Sequence, residues 1–163
     1  MSTCTRGSPG RSSDLQKILF ICYGNMCRSP MAEFVMRHLV DSAGRSRDFV
    51  IDSAGVGYNI AGELMAREDM ATMGAHGVPY KRHISRQFEP GDYDSFDHII
   101  AMDSDNYDTL MDLSDNDPDG KISMMLSYVG EDRDVDDPYY TGDYEKAYQD
   151  IRAGCEALLK TLI

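Results

Sequence analysis

The sequence predicts an α/β fold, a doubly wound, four-stranded parallel sheet with helices on both faces. Three observations predict it. Short apolar runs rich in β-branched and aromatic residues alternate with stretches whose apolar positions recur at helical spacing. Clusters of Gly, Pro, Asn and Asp separate the two kinds of segment. The 163 residues suit one domain that buries roughly two-thirds of the surface its unfolded chain would expose, and no internal repeat interrupts them.

The first 14 residues, rich in Ser, Gly, Arg and Pro, lack the apolar core of a secretory signal and read as a disordered tail. Arg6 and Arg11 in this acid-poor stretch would suit a transit peptide, but no amphipathic pattern accompanies them. Residues 15–163 read as a single domain. Lys17-Ile18-Leu19-Phe20 is the first strand, and Met31, Phe34, Val35 and Leu39 mark the apolar face of the first helix. Ser29 is a natural N-cap for that helix, and Pro30 suits its first turn. Phe49-Val50-Ile51 forms a second strand that ends at Asp52-Ser53-Ala54-Gly55.

Leu64, Met65, Met70 and Met73 predict a helix over 63–74, its methionines filling core rather than binding metal. Gly74, Gly77 and Pro79 break the chain, and 81–95 is irregular or one short helix. His98 to Met102 is the third strand, with a helix over 104–113, and Ile122 to Val129 is the fourth strand. Tyr144, Ala147, Tyr148, Ile151, Leu158, Leu159 and Leu162 line an amphipathic last helix. In such sheets ligands bind at the carboxyl ends of the strands, where Cys22 lies and which Asp137 follows.

Composition narrows the function. With 42% hydrophobic and 27% charged residues and no long apolar run, the chain reads as globular, without a membrane span. A net charge of −12 argues against nucleic acid as a partner. Any phosphorylated ligand must be captured by a local positive site against that field. Cys4, Cys22, Cys27 and Cys155 form no disulfide framework, which places the chain in the cytoplasm. His38 and His76 have no ligand-spaced partner. Asp115-Asn116-Asp117-Pro118-Asp119-Gly120 copies the opening of a calcium loop, but Leu126 stands where a bidentate Glu belongs, so it reads as an acidic surface turn. The acid-rich run from Asp92 to Asp119 likewise reads as a solvated face. No metal and no cofactor is expected.

Chemistry concentrates in Cys22-Tyr23-Gly24-Asn25-Met26-Cys27-Arg28-Ser29-Pro30, between the first strand and the first helix. Backbone N–H groups at a helix start are free to point at an anion, with the positive end of the helix dipole behind them. This is a phosphate-binding loop with a thiol at its rim. An ordinary thiol, with a pKa of about 8.5, is a weak nucleophile at neutral pH, and a helix N-terminus plus a cation lowers that value. Arg28 lands across the loop, where its planar fork holds two phosphoryl oxygens. Gly24 and Asn25 tolerate the positive φ that a tight cradle demands. The Ser29 hydroxyl can donate to the Cys22 sulfur. Cys27, a second thiol in the same loop, either traps an oxidised Cys22 as a disulfide or simply packs the loop.

The run from Cys22 to Pro30 resembles the signature loop of the low-molecular-weight protein tyrosine phosphatases, and the similarity continues from about residue 17 to the C-terminus. Asp52-Ser53-Ala54-Gly55, Arg82 to Gln87, Ile99 to Asp103 and Asp137-Pro138-Tyr139-Tyr140 resemble further family segments, in the family's order. The resemblance implies hydrolysis of protein phosphotyrosine through a cysteinyl-phosphate intermediate, without metal, by a monomer inhibited by phosphate or vanadate. It makes Cys22 the nucleophile, Arg28 the phosphate clamp and Asp137 the general acid. Sequence geometry alone leaves Asp136 in contention, and its crowding is expected to keep Asp137 protonated.

The resemblance also puts His83 beneath the loop as a support for Asn25 and Ser29, with Arg86, Gln87 and Asp103 as props. Tyr23, Tyr58, Tyr139 and Tyr140 become the walls of the substrate slot. Three alternatives remain. Some bacterial relatives act as arginine phosphatases, with a small Thr where this chain has Met26 and no tyrosine pair in the acid loop. An arsenate reductase needs a downstream cysteine pair, yet no Cys lies between 27 and 155. A non-catalytic phosphate-binding module needs neither Cys22 nor Asp137.

Overall fold

The structure, a computed structural model, describes residues 15–163, so the expectation for the first 14 residues lies outside it. Four parallel strands form one sheet, β1 (Gln16–Cys22), β2 (Phe49–Gly55), β3 (His98–Ala101) and β4 (Ile122–Met124), in the order β2-β1-β3-β4. Parallel neighbours need crossover connections. These are helices α1 (Arg28–Ser42) and α2 (Arg67–Ala75), the short α3 (Pro90–Ser95), and α4 (Ser104–Leu113). The short α5 (Pro138–Thr141) and the long α6 (Tyr144–Leu162) close the chain.

Side chains along β1 alternate between two buried layers, as the period of a strand requires. Ile18, Phe20 and Cys22 face a core built with α1, α2 and α6. Leu19 and Ile21 face a second core with Phe88, Tyr93, Phe96 and Leu110. Both faces of the sheet are therefore covered, which explains the unbroken apolar run Ile18–Cys22. From β1 the chain crosses first to β2 on one side and then to β3 on the other. The connections diverge above the carboxyl end of β1, and that switch point is where such sheets open a ligand crevice.

The expected elements need four corrections. Helix α1 starts at Arg28, with Cys27 rather than Ser29 at the N-cap and no capping side chain, because the Ser29 hydroxyl is committed to the loop. Helix α2 starts at Arg67, not 63, because Leu64 bridges to Ile84 in extended backbone and Met65 N–H donates to the His83 carbonyl. The fourth strand stops at Met124, and a 3-10 helix (Met125–Val129) follows. Its partner β3 offers only Ile99–Ala101 for pairing, and Ser127 Oγ donates to the Met124 carbonyl at 2.6 Å. Finally, Pro138 begins a short helix, with Asp137 as its N-cap, in a stretch for which no helix is expected.

The acidic turn at 115–120 does fold as a turn, with Asp115, Asn116 and Asp117 all at positive φ. The Asp117 carboxylate is consumed by Tyr93 Oη and the backbone N–H groups of Lys121 and Ile122. Among the described residues no helix is long and apolar enough to cross a membrane.

Candidate active site

Strand β1 delivers Cys22, buried, to the crevice, and the loop Tyr23–Cys27 turns over it before α1 begins. The Cys22 sulfur accepts the Asn25 backbone N–H at 3.2 Å and lies 3.0 Å from Ser29 Oγ. The turn is made at Asn25, with φ of 57°, whereas Gly24 keeps an ordinary φ, contrary to expectation. Asn is among the residues that accept this conformation at lowest cost. Two glycines leave room for the loop. A Cβ on Gly55 would stand 2.6 Å from the Tyr23 carbonyl oxygen, and one on Gly57 2.5 Å from the Tyr23 ring.

The Asn25 side chain holds the loop from beneath. Its Nδ2 donates to Ser29 Oγ at 2.8 Å and to Ser53 Oγ at 3.0 Å. Its Oδ1 accepts from His83 Nε2 at 3.0 Å and from the Arg86 backbone N–H at 2.9 Å. These partners orient the hydroxyls. Because Ser29 Oγ accepts from Asn25, its own hydrogen is available to the Cys22 sulfur. Ser53 likewise accepts from Asn25 and donates to Glu33 Oε1 at 2.7 Å. Burial pushes the Glu33 carboxyl up, opposed by that hydrogen bond and by Arg37, which pairs with it at 2.8 Å.

His83 therefore supports Ser29 only through Asn25; the expected direct bond is absent. Arg86 pairs with Asp52 and Asp92, while Gln87 Nε2 donates to the Gly57 carbonyl at 2.8 Å. Arg86 and Gln87 thus touch the segments that flank the loop.

Arg28, nearly inaccessible at 3% exposure, spans the crevice. Its Nη1 donates to Asp103 Oδ2 at 2.9 Å and to the Val135 carbonyl at 2.7 Å, and its Nη2 reaches Asp137 Oδ2 at 3.4 Å. Burial works against its charge, but Cys22, Asp103 and Asp137 together raise its pKa above the usual guanidinium value. Asp103 follows β3 and also caps α4 by accepting the Asn106 N–H at 2.7 Å. The guanidinium is thus fixed from the neighbouring strand's end.

Asp137 accepts the Tyr139 N–H at 3.1 Å, which aims its other oxygen at Arg28. Asp136 instead pairs with Lys146 at 3.2 Å on the surface. A cation therefore neutralises the carboxylate expected to crowd Asp137. Tyr139 and Tyr140 pack edge to face, centroids 5.1 Å apart, and both are exposed beside the crevice. Tyr23 stands half-exposed on the opposite lip, its hydroxyl 3.5 Å from the Tyr58 backbone N–H. The Tyr58 ring itself is 90% exposed, the loosest of the expected wall residues. Met26 is half-buried beside Gly24.

Sequence reasoning gave no role to Ser53, Glu33 or the Val135 carbonyl. Glu33 left one signal, an acid within the tightly apolar Met31–Val35 stretch. Cys27, buried, has its sulfur 3.9 Å from Tyr144 Oη, and Asp69 of α2 lies nearby. No group of three or more His, Cys, Asp or Glu is placed to hold a metal ion among the described residues.

Residues 17–163 match the family described as low molecular weight phosphotyrosine protein phosphatase. The low molecular weight protein-tyrosine-phosphatase YfkJ of Bacillus subtilis is 37% identical over 147 residues, covering 89% of this chain and 94% of its own. Its crystal structure superposes with a TM-score of 0.87 at 36% identity, covering 96% of each chain. The Staphylococcus epidermidis relative PtpA, of the same description, is 35% identical over 147 residues, or 90% of this chain and 93% of its own. A Drosophila arginine phosphatase, DARP, superposes with a TM-score of 0.81 at 32% identity, covering 90% of this chain and 97% of its own. With the match running from the first strand through the last helix, the chain belongs to the low molecular weight phosphotyrosine protein phosphatase family.

Proposed function

We propose that this protein hydrolyses phosphotyrosine on proteins, with Cys22 as nucleophile, Arg28 as phosphate clamp and Asp137 as general acid. One observation carries the reading, a buried thiol bonded by Ser29 Oγ and the Asn25 N–H, across from a buried arginine that already reaches Asp137. The loop amides and the Arg28 fork take the equatorial oxygens of the phosphoryl group, replacing the 3.4 Å contact with Asp137. Cys22 attacks phosphorus, and the freed Asp137 carboxyl gives its proton to the departing phenol. Asp137 then takes a proton from water as water attacks the cysteinyl phosphate. The Ser29 hydroxyl stabilises the sulfur as it leaves.

Tyr23, Tyr139 and Tyr140, with Tyr58 at the rim, offer faces to a phenyl ring, and Met26 narrows the slot against a guanidinium. No metal or cofactor enters this scheme, and inorganic phosphate and vanadate act as competitive inhibitors. The free thiols of Cys22, Cys27 and Cys155 support a reducing compartment, the cytoplasm, as its location. The surplus of acid disfavours nucleic acid as a partner. Redox sensitivity follows from the two loop thiols, with Cys27 trapping a peroxide-oxidised Cys22 as a disulfide.

The test is kinetic. Phosphotyrosine peptides should exceed phosphoarginine and phosphoserine peptides in kcat/KM, and Met26→Thr should narrow the gap to phosphoarginine. A preference for phosphoarginine would make the protein an arginine phosphatase, the activity named for DARP of Drosophila. Cys22→Ser should reduce turnover to background while phosphate still binds. Asp137→Ala should lower kcat by roughly 10²–10⁴ on poor leaving groups and far less on acidic phenols. Equal losses on both would make Asp137 structural.

A further inference from the structure

A cavity of about 390 Å³ opens beside the C-terminal half of α1, between that helix, the edge strand β2 and residues 79–81. Small-molecule sites have volumes of about 300–1,000 Å³, so it is large enough for a compact ligand. Its floor is apolar, formed by Phe34, Val40, Phe49 and Ile51, all buried. Its polar lining is mostly basic. Arg37, His38 and Lys81 stand against one acid, Asp41, whose Oδ1 already accepts from Ser46 Oγ at 3.0 Å. Of the three bases only Arg37 is held by an acid among the described residues, Glu33 at 2.8 Å. In a chain of net charge −12 this is a local reversal of sign. An apolar floor under a basic rim suits an anion that carries an apolar body.

Two of the lining residues also touch the support of the phosphate loop. Phe34 meets the His83 ring edge to face, centroids 6.3 Å apart, and His83 holds Asn25 at 3.0 Å. Arg37 Nη2 is shared between the Glu33 carboxylate at 2.8 Å and the Ile51 carbonyl at 2.7 Å. Glu33 accepts from Ser53, and Ser53 accepts from Asn25. The Arg37 side chain is 43% exposed, whereas that of Glu33 is 6% exposed. The guanidinium can therefore turn toward an anion in the cavity, but the carboxylate cannot follow it.

We propose that this cavity is a regulatory site for a small aryl or alkyl carboxylate, which draws Arg37 away from Glu33 and loosens the support beneath the phosphate loop. The carboxylate meets the planar Arg37 fork, with Lys81 and His38 beside it, and its apolar body covers Phe34 and Phe49. The Arg37–Glu33 pair is the element with two states, closed without the ligand and open with it. Burial pushes the Glu33 carboxyl up, while Ser53 and Arg37 hold it down. Once Arg37 leaves, the buried Glu33 takes up a proton more readily and accepts less well from Ser53. Asn25 then keeps His83 and the Arg86 amide as its firm anchors. The regulatory effect rests on the reaction proposed above, because it is read as turnover; the binding site does not.

The experiment uses 4-phenylbutyrate as the probe and 4-phenylbutylamine as its cationic match. Each is titrated by calorimetry into the full chain saturated with vanadate, so that the phosphate loop is occupied. The carboxylate should bind at one site and the amine at least about tenfold more weakly. Lys81→Glu should weaken the carboxylate roughly fivefold or more while basal turnover of para-nitrophenyl phosphate stays unchanged. Without vanadate, saturating 4-phenylbutyrate should lower kcat roughly fivefold with KM unchanged. Arg37→Gln should lower kcat by the same factor and leave the probe nothing further to change. Arg37→Lys, which can still pair with Glu33, should restore both the turnover and the response. Equal binding of the amine, or a Lys81→Glu chain that binds the carboxylate as well as wild type, overturns the anion site. Loss of binding under vanadate, or a rise in KM alone, assigns the carboxylate to the phosphate loop and also overturns it. Binding that leaves kcat unchanged overturns the regulatory role. A wild type without any turnover would instead remove the proposed reaction, and the calorimetry would still decide the site.

Discussion

The two sides of the phosphate loop are built on opposite rules. On the Asn25 side both polar atoms of the Asn25 side chain are spent: Asn25 alone joins Ser29, Ser53, His83 and the Arg86 amide, and Ser53 passes the chain on to Glu33. On the Cys27 side a long 3.9 Å contact to Tyr144 stands beside a buried carboxyl with no partner at all. The difference teaches what each side does. A saturated network has one arrangement and fixes the sulfur's geometry. A group with unused lone pairs is free to receive a proton. The first side contributes precision, and the second carries an unpartnered carboxyl, that of Asp69, at a cost in stability.

The comparison breaks most visibly at Asn25. Asn25→Ala strands the His83 ring, the Arg86 amide and two hydroxyls, and lets the positive-φ turn relax. We expect kcat to fall about 10²-fold through misplacement of Cys22, and stability to fall by about 2–3 kcal/mol. Steady-state kinetics and thermal unfolding on one preparation check both. Unchanged kcat alongside lost stability would show that the network holds the fold but not the nucleophile.

Asp69→Asn should move stability in the other direction, and the sign depends on pH. Burial raises the folded-state pKa of this carboxyl. Its contribution is therefore complete below the unfolded value of about 3.9 and is lost as pH rises through the folded value. Wild type and variant should match in acid, and the variant should gain about 1–2 kcal/mol at mildly alkaline pH. Parallel unfolding curves across that range would mean that Asp69 finds a partner in solution and that the two sides are alike.

The smallest effect sharpens the contrast within the saturated side. Ser53→Ala cuts Asn25 from Glu33 but leaves Asn25 bonded to Ser29, His83 and the Arg86 amide. Stability should drop by about 1 kcal/mol, with kcat changed less than in Asn25→Ala. A kcat loss as large as that of Asn25→Ala would make Glu33, through Ser53, the true anchor of the loop.

By itself the sequence determined the fold class, the order of strands and helices, and the loop with its thiol and arginine. These follow from local rules: apolar runs make strands, 3.6-residue spacing makes helices, and a phosphate loop needs its residues contiguous. Local rules also misled in places. Ser29 reads as an N-cap until Asn25 and Cys22 claim its hydroxyl, and Ile122–Val129 reads as one strand until the short β3 leaves it too little edge to pair with. Only the tertiary structure decided how residues far apart in sequence share a site. Arg28 meets Asp103 75 positions away and Asp137 109 positions away, and the Ala66 bond to Met26 ties the start of α2 to the loop. Asp136 and Asp137 are adjacent acids with the same composition around them, yet one faces Lys146 and the other Arg28. Hydrogen bonds and desolvation act through space, so which acid is exposed, paired or left alone in the core is settled when the strands and helices pack.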